Sequence, residues 1–312
     1  MPKVSVCVPV YNVEQYISKC LDSLLNQTLQ DIEVVIVDDC SPDNSMKIVE
    51  DYAEKDSRIT IIHHKENSGL MVTRHTGYVS AKGDYVTFCD SDDFMPLDAL
   101  ETMYQSALTY DADIIVGNID YIFADESKKP TKAYYSKMPD GKHDRNATLR
   151  ALLRNSLKHN MCGKLFSRHL LQDYDYVAYK GCTNSEDMGA FYQIVDNCTN
   201  VHIIDKVVYY YFQNIESSSQ VHYSEKALRS IINIRKLVLG VLSRHPELNN
   251  ETNHWLITNV ASLYPRYNKG NFLTNLLKEY DMWKYFSLSN IITYCGLLKG
   301  IKICAKLYYP TK

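Results

Sequence analysis

The sequence has no stretch of uncharged apolar residues long enough to span a bilayer. It also has no apolar leader behind Met1: Met1-Pro-Lys-Val-Ser-Val-Cys-Val-Pro-Val10 reads as a first strand, not as a signal peptide. Its nine cysteines include no CxxC pair and their number is odd. That pattern argues against structural zinc and against a disulfide framework, and several of the cysteines sit inside apolar runs, as small core residues do. The expectation is a protein of the reducing cytosol. An excess of basic charge is missing too: 34 Lys and Arg face 37 Asp and Glu, a net −3, so nothing in the bulk charge favours nucleic acid as a partner. No G-x-G-x-x-G follows the first strand and no G-x-x-x-x-G-K-[ST] occurs anywhere, which removes the usual backbone cradles for dinucleotides and for P-loop phosphates. If this chain binds phosphate, a cation must do the neutralising.

With 312 residues and 45% apolar composition, the chain can bury about three quarters of its unfolded surface. Through residue 117, short apolar runs alternate with helical patterns, the mark of βαβ units around a mainly parallel sheet. Strands are expected at Val4–Val8, Val34–Val37, Ile59–Ile62, Asp84–Cys89 and Ile114–Val116. Between them lie helices. The first carries Tyr16, Ile17, Cys20, Leu21, Leu24 and Leu25; the second is capped by Ser41-Pro42 and carries Ile48, Val49 and Tyr52. A third runs from a Ser68 cap to Lys82 and is closed by Gly83, and a fourth spans Leu97–Leu108. Residues 124–146 read as an exposed connection, followed by a helix near Ala147–Leu157, a helix opened by Asn184-Ser-Glu186-Asp187, and a returning strand over Lys206–Phe212. From Ser224 onward the pattern is helical. The domains expected are 1–220, an α/β unit, and 221–312, a helical C-terminal extension.

The chemistry lies at the strand ends. Asp90-Ser-Asp92-Asp93 puts three carboxylates in four positions directly after the fourth strand. One or two aspartates would cap the following helix, but three exceed what a cap needs. Carboxylates so close repel unless a cation sits among them, which suits magnesium or manganese completed by phosphate oxygens and water. Asp38-Asp39 ends the second strand, and Pro9-Val-Tyr11-Asn12 ends the first. In an open α/β sheet, ligands bind at the carboxyl ends of strands, so three segments point to one mouth. Asp38-Asp39 suits either a helix cap or an acceptor for a base or ribose. Arg74 suits either the surface or a guanidinium facing diphosphate or base. Glu186-Asp187 suits either a helix N-terminus that favours acids or a general base.

Val4-Ser-Val-Cys-Val-Pro-Val-Tyr-Asn12, Val37-Asp-Asp-Cys-Ser-Pro-Asp43, Gly69-Leu with Arg74, Lys82-Gly-Asp-Tyr and Asp90-Ser-Asp-Asp93 together resemble the family 2 glycosyltransferases, inverting enzymes of the GT-A fold. Gly163-Lys-Leu, Glu186-Asp187 and Tyr209-Tyr-Tyr-Phe-Gln are similar to the polysaccharide-assembly branch. One departure is Thr73-Arg-His75-Thr-Gly77, where the family often has Ala-Arg-Asn-x-Gly. The resemblance implies an enzyme that transfers a sugar from a nucleoside-diphosphate sugar, UDP-linked by expectation, to a glycan or lipid-linked saccharide. It implies that Asp39 binds the base with Asp38 beside it, that Pro9 and Tyr11 line the nucleotide pocket and that Arg74 approaches base or diphosphate. It further implies that Asp90 reaches the ribose, that Asp92 holds Mn2+ or Mg2+, and that Asp187 is the catalytic base. The spacing fits Asp93 to the metal as well as Asp92. The competing expectations are a metal-dependent phosphohydrolase and a non-catalytic nucleotide-sugar-binding protein.

From Met282 to Lys312 there are five lysines and no acid, with Lys299, Lys302 and Lys306 on one helical face. Such a stripe fits a packed helix with a solvated edge, and equally an interfacial helix on anionic lipid that would place a cytoplasmic enzyme on the inner membrane face. The interfacial reading predicts that the whole chain floats with anionic liposomes and that removing residues 285–312 abolishes flotation. Unchanged flotation after truncation would remove the lipid role.

Overall fold

The computed structural model describes residues 1–267 and Glu279, apart from 126, 173–175, 183 and 214–223. The chain divides into two compact units, Met1–Gln220 and Val221–Lys312. The first unit begins with β1 (Val4–Val10), α1 (Ile17–Leu25), β2 (Ile32–Asp38), α2 (Ser45–Ala53), β3 (Ile59–His63), α3 (Leu70–Ser80), β4 (Tyr85–Phe88), α4 (Ala99–Tyr110) and β5 (Ile114–Phe123). It continues with β6 (Thr131–Tyr134), β7 (Gly141–Asp144), α5 (Arg145–Leu153), β8 (Lys164–Ser167), α6 (Arg168–Gln172), α7 (Glu186–Asn197) and β9 (Asn200–Gln213).

One sheet carries all nine strands in the order β3-β2-β1-β4-β8-β5-β9-β7, with β6 paired to β5. The half formed by β3, β2, β1 and β4 is parallel. β8 runs antiparallel to both β4 and β5, and β5 pairs in parallel with β9. The architecture is thus the α/β, mainly parallel sheet flanked by helices that the strand and helix patterns predict. Every residue of β1 and β2 is buried, which explains why they read as continuous apolar runs with no alternation.

Two polar side chains interrupt those runs and satisfy one another. Ser5 Oγ donates to Glu33 Oε1 at 2.5 Å, the Lys82 N–H donates to the same oxygen at 2.5 Å, and the Gly83 N–H donates to Ser5 Oγ at 2.8 Å. A buried carboxylate is tolerated here because donors surround it. Gly83 therefore does something other than cap α3, whose C-cap is Ala81. A Cβ at Gly83 would lie 2.7 Å from the Ser5 nitrogen and 2.9 Å from the Val4 carbonyl carbon, so the residue is small because two backbones touch.

Other expectations shift for local reasons. The second helix starts at Ser45, not Ser41: Ser41 Oγ instead takes the Asn12 N–H and donates to Asp43. Ser68 does not cap α3; its N–H and that of Gly69 both point at Asp39. Residues 124–146, expected as a connection, hold β6 and β7, whose four-residue lengths and exposed polar side chains leave little apolar pattern to read. β8 was not expected at all; it lies inside the segment Asn160–Leu165 and beyond it. β5 and β9 both run well past the apolar cores that identify them, to 10 and 14 residues.

The second unit is helical where described: α8 (Glu225–Leu242), whose N-cap Ser224 accepts the Ala227 N–H, a 3-10 turn at Pro246–Leu248, and α9 (Asn249–Tyr267). Among the described residues no helix is long and apolar enough to cross a membrane. The lysine stripe at 299–306, with the rest of 285–312, lies outside the described residues.

Because the space at Gly83 is closed by the Val4–Ser5 backbone as well as by Ser5 Oγ, Gly83→Ala should destabilise the first unit by about 1–3 kcal/mol, the cost of overpacking. Urea or thermal unfolding monitored by far-UV circular dichroism reads this directly, and a neutral result would contradict the closed contact.

Candidate functional site

Parallel pairing in the order β2-β1-β4 brings three strand ends to one edge of the sheet. Val10 pairs with Asp38, the Asp39 N–H donates to the Val10 carbonyl at 3.0 Å, and the Cys89 N–H donates to the Cys7 carbonyl at 3.1 Å. Asn12 and Cys40 take left-handed backbone conformations, with φ of 56° and 63°, and turn the chain sharply once each strand is finished. Pro9 is buried within β1 opposite Val37, and Tyr11, one residue past the strand, is 50% exposed at the rim. The three segments expected to share a mouth do share one.

Asp38 and Asp39 are both buried, and each is paired with a histidine at the end of β3. Asp38 Oδ1 accepts the Ser41 N–H at 2.9 Å while Oδ2 lies 3.0 Å from His63 Nδ1. Asp39 Oδ1 lies 2.8 Å from His64 Nδ1 and accepts the Ser68 N–H at 2.8 Å, and its Oδ2 accepts the Gly69 N–H at 2.8 Å. The other nitrogen of His64 meets Thr76 Oγ1 at 2.9 Å. A carboxylate offers about four lone-pair directions. Asp39 uses two of them to hold the loop that starts α3 and one toward His64, so one direction, on Oδ2, is left.

The Asp90–Asp93 loop is fixed from across the sheet by β9. Tyr209 Oη accepts the Asp90 N–H at 3.0 Å and donates to Asp93 Oδ2 at 2.8 Å; the Phe212 N–H donates to Asp93 Oδ1 at 2.8 Å. Phe94 and Tyr210 exchange backbone hydrogen bonds beside them. Each oxygen of Asp93 therefore accepts one hydrogen bond from β9, and the residue is 2% exposed. Burial, then the charges of Asp92 and Asp90, hold the Asp93 carboxyl well above the ordinary carboxylate range. Burial and the neighbouring Asp90 push Asp92 up to about 6.

Arg74, on α3, is buried, which excludes the surface alternative. Its two terminal nitrogens divide between two carboxylates: Nη2 donates to Asp90 Oδ1 at 2.6 Å and Nη1 to Asp187 Oδ1 at 2.5 Å. One guanidinium thus joins the acid-rich loop to the start of α7, 113 residues apart in the chain for the Asp187 bond. Its Nε is buried with no hydrogen-bond partner among the described residues. Burial works against the guanidinium charge, but Asp187 and Asp90 more than offset it, so Arg74 stays a cation. Asp187 Oδ2 accepts the Met161 N–H at 3.3 Å, and the Cys162 thiol donates to Asp90 Oδ2 at 3.4 Å. Burial raises Asp187 above an ordinary aspartate even though Arg74 pulls the other way, and burial with Asp187 beside it raises Glu186 to about 7. Ser185, in a left-handed conformation with φ 65°, turns the chain so that α7 starts with both acids at the mouth.

Mn2+ or Mg2+ is the group the acid-rich loop implies. Among the described residues no three His, Cys, Asp or Glu side chains converge to enclose an ion by themselves. The carboxylates are of the oxygen type a hard cation takes when phosphate and water complete its shell: Asp92, raised by burial and then by the charge of Asp90, is a ligand a cation would stabilise.

The profile of Glycosyl transferase family 2 matches residues 5–173, more than half of the chain and all of the strand ends described above. The chain belongs to this family. Among curated relatives, glycosyltransferase GlyA of Streptococcus pneumoniae is 50% identical over 116 residues, 37% of this chain and 16% of that protein. The putative glycosyltransferase EpsH of Bacillus subtilis is 36% identical over 171 residues, 55% of this chain and 48% of that protein. The match thus spans less than half the length of either relative. By structure, S. aureus TarS 1–349 in complex with UDP-GlcNAc superposes with a TM-score of 0.65 at 21% identity, covering 96% of this chain and 91% of that one. That likeness supports the GT-A fold.

Of the family 2 site expected from sequence, the structure brings Asp90, Arg74 and Asp187 into direct contact, sets Asp38, Asp39, Pro9 and Tyr11 along the neighbouring strand ends, and packs Asp93 into β9. Sequence reasoning missed the two histidines behind Asp38 and Asp39, the Tyr209 hydroxyl that sets the loop, and Lys164, a buried lysine whose charge acts on Asp187. Only Tyr209 and Lys164 left a trace, inside segments quoted for their resemblance and given no role.

Removing the shared cation should leave two carboxylates facing each other. Arg74→Met is expected to cost about 3 kcal/mol of stability, the low end for a broken buried ion pair, because Asp90 and Asp187 keep 26% and 21% of their side chains in water. Chemical denaturation of the variant measures it, and raising the pH should deepen the loss as Asp187, raised by burial, ionises.

Proposed function

We propose that this family 2 member transfers a sugar from a nucleoside-diphosphate sugar, a UDP-sugar by preference, to a hydroxyl of a glycan or lipid-linked saccharide on the cytoplasmic side, with inversion at the anomeric carbon. The observation that carries the reading is the Arg74 bridge, which seats a raised carboxyl, Asp187, beside the acid-rich loop that would face a diphosphate. The names of the relatives and the UDP-GlcNAc bound to the structurally similar TarS support the same class.

Tyr11, exposed at the rim, offers a ring for base stacking above Pro9. Asp39, held rigid by Ser68, Gly69 and His64, supplies the remaining Oδ2 acceptor direction to a base N–H, with Asp38 beside it. Asp90, a quarter exposed, takes a ribose hydroxyl. The unpartnered Nε of Arg74 is a donor suited to a phosphate or base oxygen. A manganese or magnesium ion resting on Asp92 would supply positive charge to the leaving diphosphate. With both Asp93 oxygens engaged by β9, Asp92 is the better placed of the two. Asp187 takes the proton from the acceptor hydroxyl as that oxygen attacks the anomeric carbon; the oxygen–carbon bond forms while the bond to diphosphate breaks, and no residue of the protein is covalently modified. A non-catalytic sugar-nucleotide binder would need Asp187 only as a partner of Arg74.

Asp187→Asn should abolish transfer while UDP affinity, measured by calorimetry with manganese, stays near that of the parent. Wild-type turnover in that variant would overturn the assignment. Because Asp187 must be ionised to act as base and its pKa is raised, the transfer rate should fall with decreasing pH at values above the ordinary aspartate value of about 3.9. A pH–rate profile reads the limb, and Glu186, raised to about 7, steepens it if its charge helps Asp187.

A further inference from the structure

Asp39 keeps one acceptor direction open, on Oδ2, and a single lone pair selects among bases only if the carboxylate cannot turn. Two of the bonds that hold it come from backbone, the N–H groups of Ser68 and Gly69. The third comes from a side chain, His64.

His64 is itself held at both ring nitrogens. Nδ1 lies 2.8 Å from Asp39 Oδ1, and Nε2 lies 2.9 Å from Thr76 Oγ1. A carboxylate only accepts, so Nδ1 must carry a proton; in the neutral ring Nε2 then accepts, and the Thr76 hydroxyl is the donor that meets it. The backbone behind the ring is fixed as well. The His64 N–H donates to the Asp38 carbonyl at 2.9 Å, and the His64 carbonyl accepts the Cys40 thiol at 3.2 Å. Thr76 is brought to this point by its neighbour in α3: the helix lies so close to β1 and β2 that a Cβ on Gly77 would stand 3.0 Å from Cys7 Cβ and 3.5 Å from Val37 Cγ2. His63 makes the contrast. It lies 3.0 Å from Asp38 but keeps 54% of its side chain in water, against 13% for His64. One histidine sits at the surface, and the other is built into the wall behind a carboxylate that has a lone pair to spare.

We propose that His64, with Thr76 fixing its tautomer, is the positioning residue that makes Asp39 selective for a base with a ring N–H, uracil over cytosine. The inference rests on the sugar-transfer reading, in which Asp39 meets the base, and adds the side chain from which a preference for UDP arises. The two pyrimidines have nearly the same outline. Uracil presents an N–H between two carbonyls; cytosine presents a lone pair at that nitrogen, and its amino hydrogens lie one ring position further round. A carboxylate pinned at three points offers its last lone pair at one place, which the uracil N–H can meet and the cytosine lone pair cannot. Without His64, Oδ1 loses one of its two donors and the carboxylate gains freedom to turn toward the cytosine amino group. Selectivity here is a matter of rigidity, supplied from behind the residue that touches the ligand.

The test measures UDP and CDP on the full chain by calorimetry with manganese. The parent should prefer UDP by about tenfold or more. His64→Leu should lower that ratio about tenfold, of the order of one hydrogen bond to a charged group. His64→Asn, whose side-chain nitrogen stands where Nδ1 stands, should restore most of it. Thr76→Val, which removes the hydroxyl at nearly constant size, should lower the ratio by a smaller factor and provides the reading if His64→Leu fails to fold. A merely structural role would weaken both nucleotides alike and leave the ratio where it was. In the parent, two-bond 1H–15N correlation spectra, with the His64 signals assigned by their loss in His64→Asn, should show a proton on Nδ1. A ratio unchanged in His64→Leu, or in Thr76→Val should the first not fold, would overturn the proposal, as would an Nδ1 without its proton or a parent that binds UDP and CDP equally. A parent that binds neither nucleotide would instead strike the sugar-transfer reading.

Discussion

A single buried guanidinium holds the first unit's chemistry together. Arg74 lies between Asp90 and Asp187, and without it the sheet edge would gather mutually repelling carboxylates around an interior with little water. Coulomb energy between such groups rises steeply as the local dielectric falls, so one cation placed between them decides whether the loop after β4 and the start of α7 can coexist. The rest of the mouth is arranged around that constraint: α3 is positioned by Asp39, which captures the two amides before it, and the loop is set by Tyr209 from the far strand. Backbone donors and one hydroxyl provide what capping side chains would provide elsewhere.

The same residues explain a division between structure and chemistry within a short acidic motif. Asp93, with its oxygens on Tyr209 and Phe212, is held by the fold; Asp92, raised by burial and by Asp90, is the one the proposed reading assigns to the cation. Both are aspartates one position apart after a strand. Adjacent side chains leave a chain in different directions, so Asp93 can meet β9 without its neighbour doing so. Asp38 and Asp39 divide differently, since each is backed by its own histidine and each holds a turn.

Much of the parallel half was legible before any coordinates, because strands buried on both faces write themselves as apolar runs and because βαβ repeats force their carboxyl ends to one edge. That is why Pro9, Tyr11, Asp38, Asp39, Asp90 and Asp92 could be assigned to a common mouth from order alone. The motif-based resemblance supplied Asp187. What sequence could not supply were contacts between segments far apart in the chain: the Arg74 bridge over 113 residues and the Tyr209 hydroxyl reaching back to the acidic loop. β6, β7 and β8 escaped for a related reason, being four-residue strands whose identity comes from their partners and not from their own side chains. The sequence alone determined which residue types stand at the strand ends, since that depends on local periodicity. Which of those carboxylates are consumed by the fold and which face a ligand was decided only in three dimensions, because hydrogen-bond partners and dielectric surroundings are properties of the assembled sheet.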